Sequence, residues 1–272
     1  MGKQSKRRRV KRKLERTEGR AALKAAKKNL PPPFFKDNGG NIIAPIELVF
    51  PIVRFRNHKF ETIGTGFFVH PAGGFVTARH CLYIGNTYDD NCYAIQTVKG
   101  YQHVRKIQYF EAHPEADIGM GMLRGELKDR RSGRISLRPT LPVSLTPPNI
   151  NDEISTLAYP RMKIKENNVA VFPCDRYIGQ ILDHLPDGTG MLKSPCYVTN
   201  MEIKSGASGG PVLRGKHIIG VNSVSMDISD GGDPISFITP IQQIFDLKLK
   251  DSDGQITTVR ELMASGHMDW AE

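Results

Sequence analysis

Ser208 stands in the run Ile203-Lys-Ser-Gly-Ala-Ser-Gly-Gly-Pro211, a hydroxyl among glycines that closes on a proline. Gly206, Gly209 and Gly210 permit a backbone turn that side chains would block. Such a turn aims the N–H groups of Gly206 and Ser208 at one point beside the Ser208 hydroxyl. Paired donors next to a nucleophile serve acyl transfer, because negative charge develops on the carbonyl oxygen under attack. A serine hydroxyl is a poor nucleophile until a base takes its proton, so the chemistry requires a histidine and a group to orient it. His80 ends Gly74-Phe-Val-Thr-Ala-Arg-His80, a strand-like run that stops at the imidazole. Asp117 opens Asp-Ile-Gly-Met-Gly-Met-Leu123, a carboxylate at the mouth of an apolar strand.

The order His, Asp, Ser is one known for triads of this kind. Gly64-Thr-Gly-Phe-Phe-Val69, Thr77-Ala-Arg-His-Cys81, Asp117-Ile-Gly and Gly206-Ala-Ser-Gly-Gly-Pro211 together resemble the chymotrypsin/trypsin-like serine peptidases over roughly Ile46 to Leu249. The style is closest to bacterial-type intracellular or quality-control members. The resemblance implies an all-β fold of two packed six-stranded antiparallel β-barrels with a C-terminal helix. His80 and Asp117 then sit on the first barrel, Ser208 on the second, and the cleft between them. The implied activity is that of a serine endopeptidase with catalytic His80, Asp117 and Ser208, an oxyanion hole from the Gly206 and Ser208 N–H groups, and no metal or organic cofactor. Two other readings use the same residues: a peptidase-like scaffold recruited to a polyanion, and a serine esterase.

The resemblance also places the substrate. Tyr197–Gly206 is expected to line the side-chain pocket, and Ser223-Val224-Ser225 to offer an edge for an extended peptide. Glu202 lies six residues before Ser208, where trypsin-type members carry an acid that attracts Lys or Arg; the competing reading is a solvated surface carboxylate. Secreted zymogens of the family carry an acid immediately before the nucleophile. Here that position is Ala207, so activation through an ion pair with a new N-terminus is excluded.

Strands must position these residues. From Ile46, short apolar runs separated by Gly, Pro, Asn and Asp succeed one another, the cadence of an all-β barrel or sandwich. Asn57-His58 and Pro71-Ala-Gly-Gly74 read as turns. Thr239-Pro-Ile-Gln242 reads as the start of a helix, and Thr258-Val-Arg-Glu261 as the capping box of a second that Gly266 ends. The chain therefore divides into a basic tail and linker (1–40), a peptidase-like domain (41–250, its two barrels meeting near 140–150) and a C-terminal extension with a short helix (251–272).

The net charge of +10 over 272 residues is uneven. Residues 1–30 hold 13 Lys/Arg and 2 Asp/Glu, whereas the rest holds 25 and 26. Basicity belongs to the tail, which reads as a solvated, disordered segment or an arm for nucleic acid or another polyanion. The four cysteines include no Cys-x-x-Cys, which argues against a zinc ribbon. Gly64 to Arg79 carries no cysteine, so the bridge that secreted relatives make to the cysteine after the histidine is absent. With no membrane-length apolar run and no apolar leader core, the expected location is cytoplasmic.

Overall fold

The computed structural model of the chain describes residues 35–36, 42–98, 101–124, 138–164, 170–226, 234–250 and 254–272. The basic tail, residues 1–30, lies outside the described residues. Six strands form the first barrel: β1 (Val49–Arg56), β2 (Lys59–His70), β3 (Gly74–Thr77), β4 (Cys92–Val98), β5 (Tyr101–Ala112) and β6 (Gly119–Leu123). They pair in the order β6-β3-β2-β1-β4-β5 and close through β5–β6. The turn at Asn57-His58 holds both residues at positive φ, 50° and 59°, the backbone twist that a two-residue hairpin demands.

After β7 (Val143–Ser144), the second barrel is built from β8 (Glu153–Ala158), β9 (Asp175–Leu185), β10 (Cys196–Thr199), β11 (Pro211–Arg214), β12 (His217–Met226) and β13 (Ile235–Pro240). These pair as β11-β8-β9-β10-β13-β12, and β11–β12 pairing closes the ring. β7 adds to β12 in parallel, and β14 (Trp270–Ala271) adds to β7. The chain is thus all-β with two closed six-stranded barrels. Among the described residues no helix is long and apolar enough to cross a membrane.

Aromatic rings fill the first barrel. Phe50 meets Phe68 at 4.8 Å and Phe75 at 5.5 Å between ring centroids, and all three are buried. Gly119 and Gly121, the glycines after Asp117, leave room for the rings of Phe110 and Phe75, which a Cβ would approach to 2.5 and 2.8 Å. The second barrel packs Ile154, Ile181, Met201, Val212, Ile219 and Ile238 into a separate core. Leu157, Tyr159, Leu213 and Val221 belong instead to the cluster that includes the first barrel's core, so the barrels share an apolar seam.

The C-terminal region corrects one expectation. Thr239 and Pro240 do not open an α-helix; they remain in β13, opposite Val221 and Gly220. The Thr239 hydroxyl is engaged with that of Ser223, 2.7 Å away, and so does not cap. Only one 3₁₀ turn follows, Ile241–Ile244, before the chain turns to bury Phe245 and Leu247. The capping box at Thr258 forms as expected: its hydroxyl accepts from the Glu261 N–H, and the helix Val259–Ala264 buries Val259 and Met263. Gly266, at φ 73°, follows the helix end. Because a Cβ on Gly121 meets the Tyr109 carbonyl oxygen at 2.5 Å as well as Phe75, Gly121→Ala is expected to destabilise the protein by about 1–3 kcal/mol, read from the midpoint of urea denaturation; an unshifted midpoint contradicts this packing.

Candidate active site

β3 ends at Thr77, and a single helical turn, Arg79–Leu82, follows. Ala78, Cys81 and Leu82 are buried and anchor that turn, which leaves the His80 ring half exposed. Asp117 sits in the loop between β5 and β6. His113 shapes this loop, its Nδ1 accepting from the Ala116 N–H at 2.8 Å. Arg79 ties the same loop to the histidine turn by donating to the Pro114 carbonyl at 3.1 Å. The carboxylate of Asp117 therefore meets His80 twice. One oxygen accepts from the His80 backbone N–H at 3.0 Å, and the other lies 2.8 Å from Nδ1 of the ring.

Burial alone would lower the pKa of His80. The hydrogen bond to Asp117, with a contribution from Cys81, outweighs it and raises the imidazole above its ordinary value. An Nδ1–H held by a carboxylate leaves Nε2 as the basic nitrogen.

Ser208 lies on the turn between β10 and β11. Gly206 and Gly209 adopt φ of 86° and 82°, which glycine tolerates and other residues resist. The N–H of Ala207 donates to Lys204, that of Gly209 to Asn222 and that of Gly210 to Ala207, at 2.9, 2.7 and 3.1 Å. Among the described residues the N–H groups of Gly206 and Ser208 have no acceptor. The N–H groups of Lys204 and Ser205 likewise have none among the described residues.

Residues outside the motif hold this turn. Thr65 of β2 donates its N–H to the Ser208 carbonyl at 2.8 Å and its hydroxyl to the Gly206 carbonyl at 3.2 Å. The same hydroxyl accepts from the Tyr159 N–H at 2.9 Å. Thr77, three residues before His80, donates its hydroxyl to the Thr65 carbonyl at 2.7 Å. Buried Asn222 donates its amide to Thr156 Oγ1 at 2.7 Å and to the Ala207 carbonyl at 3.3 Å. Nothing in the residue types of Thr65 or Asn222 marks these roles; the legible signal was the glycines beside Thr65. Gly64 has no room for a Cβ, which would fall 2.3 Å from Cys81 Sγ.

His80, Asp117 and Ser208 line one cleft of about 1120 Å³, together with Ser223, Val224 and Ser225. A register shift between Asn222 and Val224 interrupts the β12–β13 ladder, and the Ser223 carbonyl accepts from the Ser208 hydroxyl at 3.2 Å. In this arrangement the hydroxyl is directed there and not at the His80 ring. Met191, Leu192 and Lys193, which sequence reasoning did not select, also line the cleft. Of the expected pocket segment Tyr197–Gly206, only Ser205 lines the cleft. Met201 and Ile203 turn into the second barrel, and the residue between them, Glu202, is exposed to solvent outside the cleft lining.

The model of the Trypsin family matches residues 49–248, which spans both barrels and includes His80, Asp117 and Ser208. The chain belongs to the trypsin family. Among solved structures, this trypsin-family chain is similar to the active form of the Rv3671c protease from M. tuberculosis, at 14% identity and a TM-score of 0.51, over 84% of this chain and 85% of that one. It is also similar to the MamO protease domain from Magnetospirillum magneticum in its apo form, at 11% identity and a TM-score of 0.51, over 72% and 93% of the two chains. At these identities the likeness is one of fold. No curated protein sequence matches the chain significantly.

All four cysteines of this family member are free thiols. Burial pushes Cys92 and Cys174 up to about 12, which removes both as thiolate nucleophiles near neutral pH. Replacing Thr65 by Val leaves the buried Tyr159 N–H and Gly206 carbonyl without their partner. Thr65→Val is therefore expected to cost about 1–3 kcal/mol of stability, measured by chemical denaturation, whereas a loss below the error of that measurement shows the hydroxyl to be dispensable.

Proposed function

We propose that the chain is a serine endopeptidase in which Ser208 is the nucleophile, His80 the general base and Asp117 the residue that orients the imidazole. The observation that carries this reading is that a carboxylate-bound histidine and a serine line one cleft, the serine on a turn whose Gly206 and Ser208 N–H groups have no acceptor among the described residues. A rotation about its Cα–Cβ bond takes the Ser208 hydroxyl from the Ser223 carbonyl toward Nε2 of His80. Ser208 then attacks the peptide carbonyl as His80 accepts its proton, and the Gly206 and Ser208 N–H groups receive the oxyanion. His80 returns the proton to the leaving amine, and water repeats the steps on the acyl-enzyme. The substrate backbone lies along Ser223–Ser225 as an added strand. That extended edge favours a peptide over a simple ester.

Asp117 is assigned to hold the tautomer and stabilise the imidazolium, not to take the proton. Ala207 is buried, its carbonyl held by Asn222 and its N–H by Lys204. Neutral hydrogen bonds thus do here what the ion pair does in zymogen-type members, and the intact chain is competent without cleavage. Glu202, outside the cleft lining, gives no basis for a Lys or Arg preference.

A serine-directed phosphonate is expected to label the intact 30.3 kDa chain without prior cleavage, and to leave Ser208→Ala and His80→Ala unlabelled. Absence of label on the intact wild-type chain would point to a scaffold. Turnover of peptide and ester substrates of the same side chain separates peptidase from esterase.

The pH dependence follows from the raised pKa of His80. Only the neutral ring accepts the serine proton, so a higher pKa moves the acid limb of kcat/KM upward, to a midpoint above the ordinary value of about 6.5. Asp117→Asn should shift that midpoint downward and lower kcat by about 10³–10⁴-fold. An acid limb that ignores the substitution would refute the role given to Asp117.

A further inference from the structure

We propose that Asn222 is a positioning residue for the transition state, fixing the direction of the Ser208 N–H through the Ala207 carbonyl. The inference rests on the peptidase reading, in which that N–H receives the oxyanion. Asn222 lies on β12, fully buried, and bonds to the serine turn at three points. Its backbone carbonyl accepts from the Gly209 N–H at 2.7 Å, and its N–H donates to the Gly210 carbonyl at 3.0 Å. Its side-chain amide donates to the Ala207 carbonyl at 3.3 Å. Any residue other than proline could supply the first two bonds. Only the third depends on the side chain.

Peptide geometry connects that third bond to the chemistry. The Ala207 carbonyl and the Ser208 N–H belong to one planar trans unit, so they point in opposite directions. A donor that holds the oxygen therefore fixes where the hydrogen points. The Gly210 N–H also reaches this oxygen, at 3.1 Å, but that bond lies within the turn and moves with it. Asn222 holds the oxygen from a strand of the second barrel. The same Nδ2 donates to Thr156 Oγ1 on β8 at 2.7 Å, which ties the amide to a further strand. A carbonyl only accepts, so the amide must face Ala207 with its nitrogen.

The other end of the amide shows that packing does not explain the residue. Oδ1 is buried and has no partner among the described residues. A buried acceptor left without a donor is destabilising, and an aliphatic side chain would avoid it. What the amide adds is the hold on the Ala207 carbonyl. The His80–Asp117 pair and the Ser223–Ser225 edge do not use the Asn222 side chain. Its removal should therefore weaken the transition state and spare ground-state binding.

The test is acylation of the full chain by p-nitrophenyl acetate and by its thiono analogue, in which sulfur replaces the carbonyl oxygen, both followed by p-nitrophenol release. Sulfur is larger than oxygen and a weaker acceptor, so it draws little from oxyanion donors. Asn222→Val is expected to slow acylation by the oxygen ester about 10–100-fold at an unchanged half-saturating concentration, and to slow the thionoester about tenfold less. A general disturbance of Ser208 or His80 would slow both esters alike. Thr156→Val, which removes the other acceptor of the amide, should move the ratio of the two rates in the same direction by a smaller factor. That ratio decides the outcome if Asn222→Val does not fold, and its constancy then overturns the proposal. In a folded Asn222→Val protein, equal losses on the two esters, an undiminished rate, or a change confined to the half-saturating concentration would each overturn it. Wild-type protein no faster than Ser208→Ala would instead defeat the peptidase reading, and this inference with it.

Discussion

One threonine fastens the two barrels at the point where the cleft chemistry must be positioned. Thr65 grips the turn around Ser208 by its N–H and its hydroxyl, and in the same place accepts from Tyr159 at the end of β8. Its own carbonyl is held by Thr77, which leads directly to His80. A single buried residue therefore relates the histidine strand to the serine turn. Low local dielectric strengthens these bonds and makes each unsatisfied partner costly, so the seam has one favoured arrangement. Close packing enforces it further: a Cβ on Gly209 would fall 2.1 Å from the Thr77 hydroxyl.

This fastening explains how a turn with two unused N–H groups persists. Backbone donors without acceptors are costly in a protein interior and are retained where a ligand will use them. Here the surrounding carbonyls of Gly206, Ala207 and Ser208 are all engaged, by Thr65 and Asn222. The turn cannot relax by flipping those peptides without breaking bonds to both barrels. A neutral residue, Ala207, occupies the place where an activating carboxylate sits in zymogen-type relatives, and its N–H and carbonyl are held by Lys204 and Asn222.

The histidine side of the cleft is organised by a different balance. Asp117 is mostly shielded, with 12% of its side chain exposed, while His80 keeps 47%. The carboxylate is thus held in place by backbone and ring, and the imidazole can still exchange protons with the cleft. Arg79 and His113 act beneath this pair by shaping the loop that presents Asp117. The lining of the cleft also includes Met191, Leu192 and Lys193, from the loop between β9 and β10.

His80, Asp117 and Ser208 were legible because each lies in a local motif whose chemistry demands particular residue types at fixed neighbours. The strands were legible because their alternation and turn residues are local, as at Asn57-His58. The sequence misplaced Thr239 because a capping pattern looks the same whether or not the hydroxyl is already taken, and only β12 beside β13 decides that. It passed over Thr65, Asn222 and Met191 for a related reason. Their partners lie up to 141 residues away, and a side chain's role in such a contact depends on which distant groups the folded chain brings beside it. By itself the sequence determined the candidate residue types and the β-cadence that carries them. The tertiary structure alone decided which carbonyls are engaged, which N–H groups stay free and which surfaces face the cleft, since hydrogen bonds are settled by distances that only packing sets.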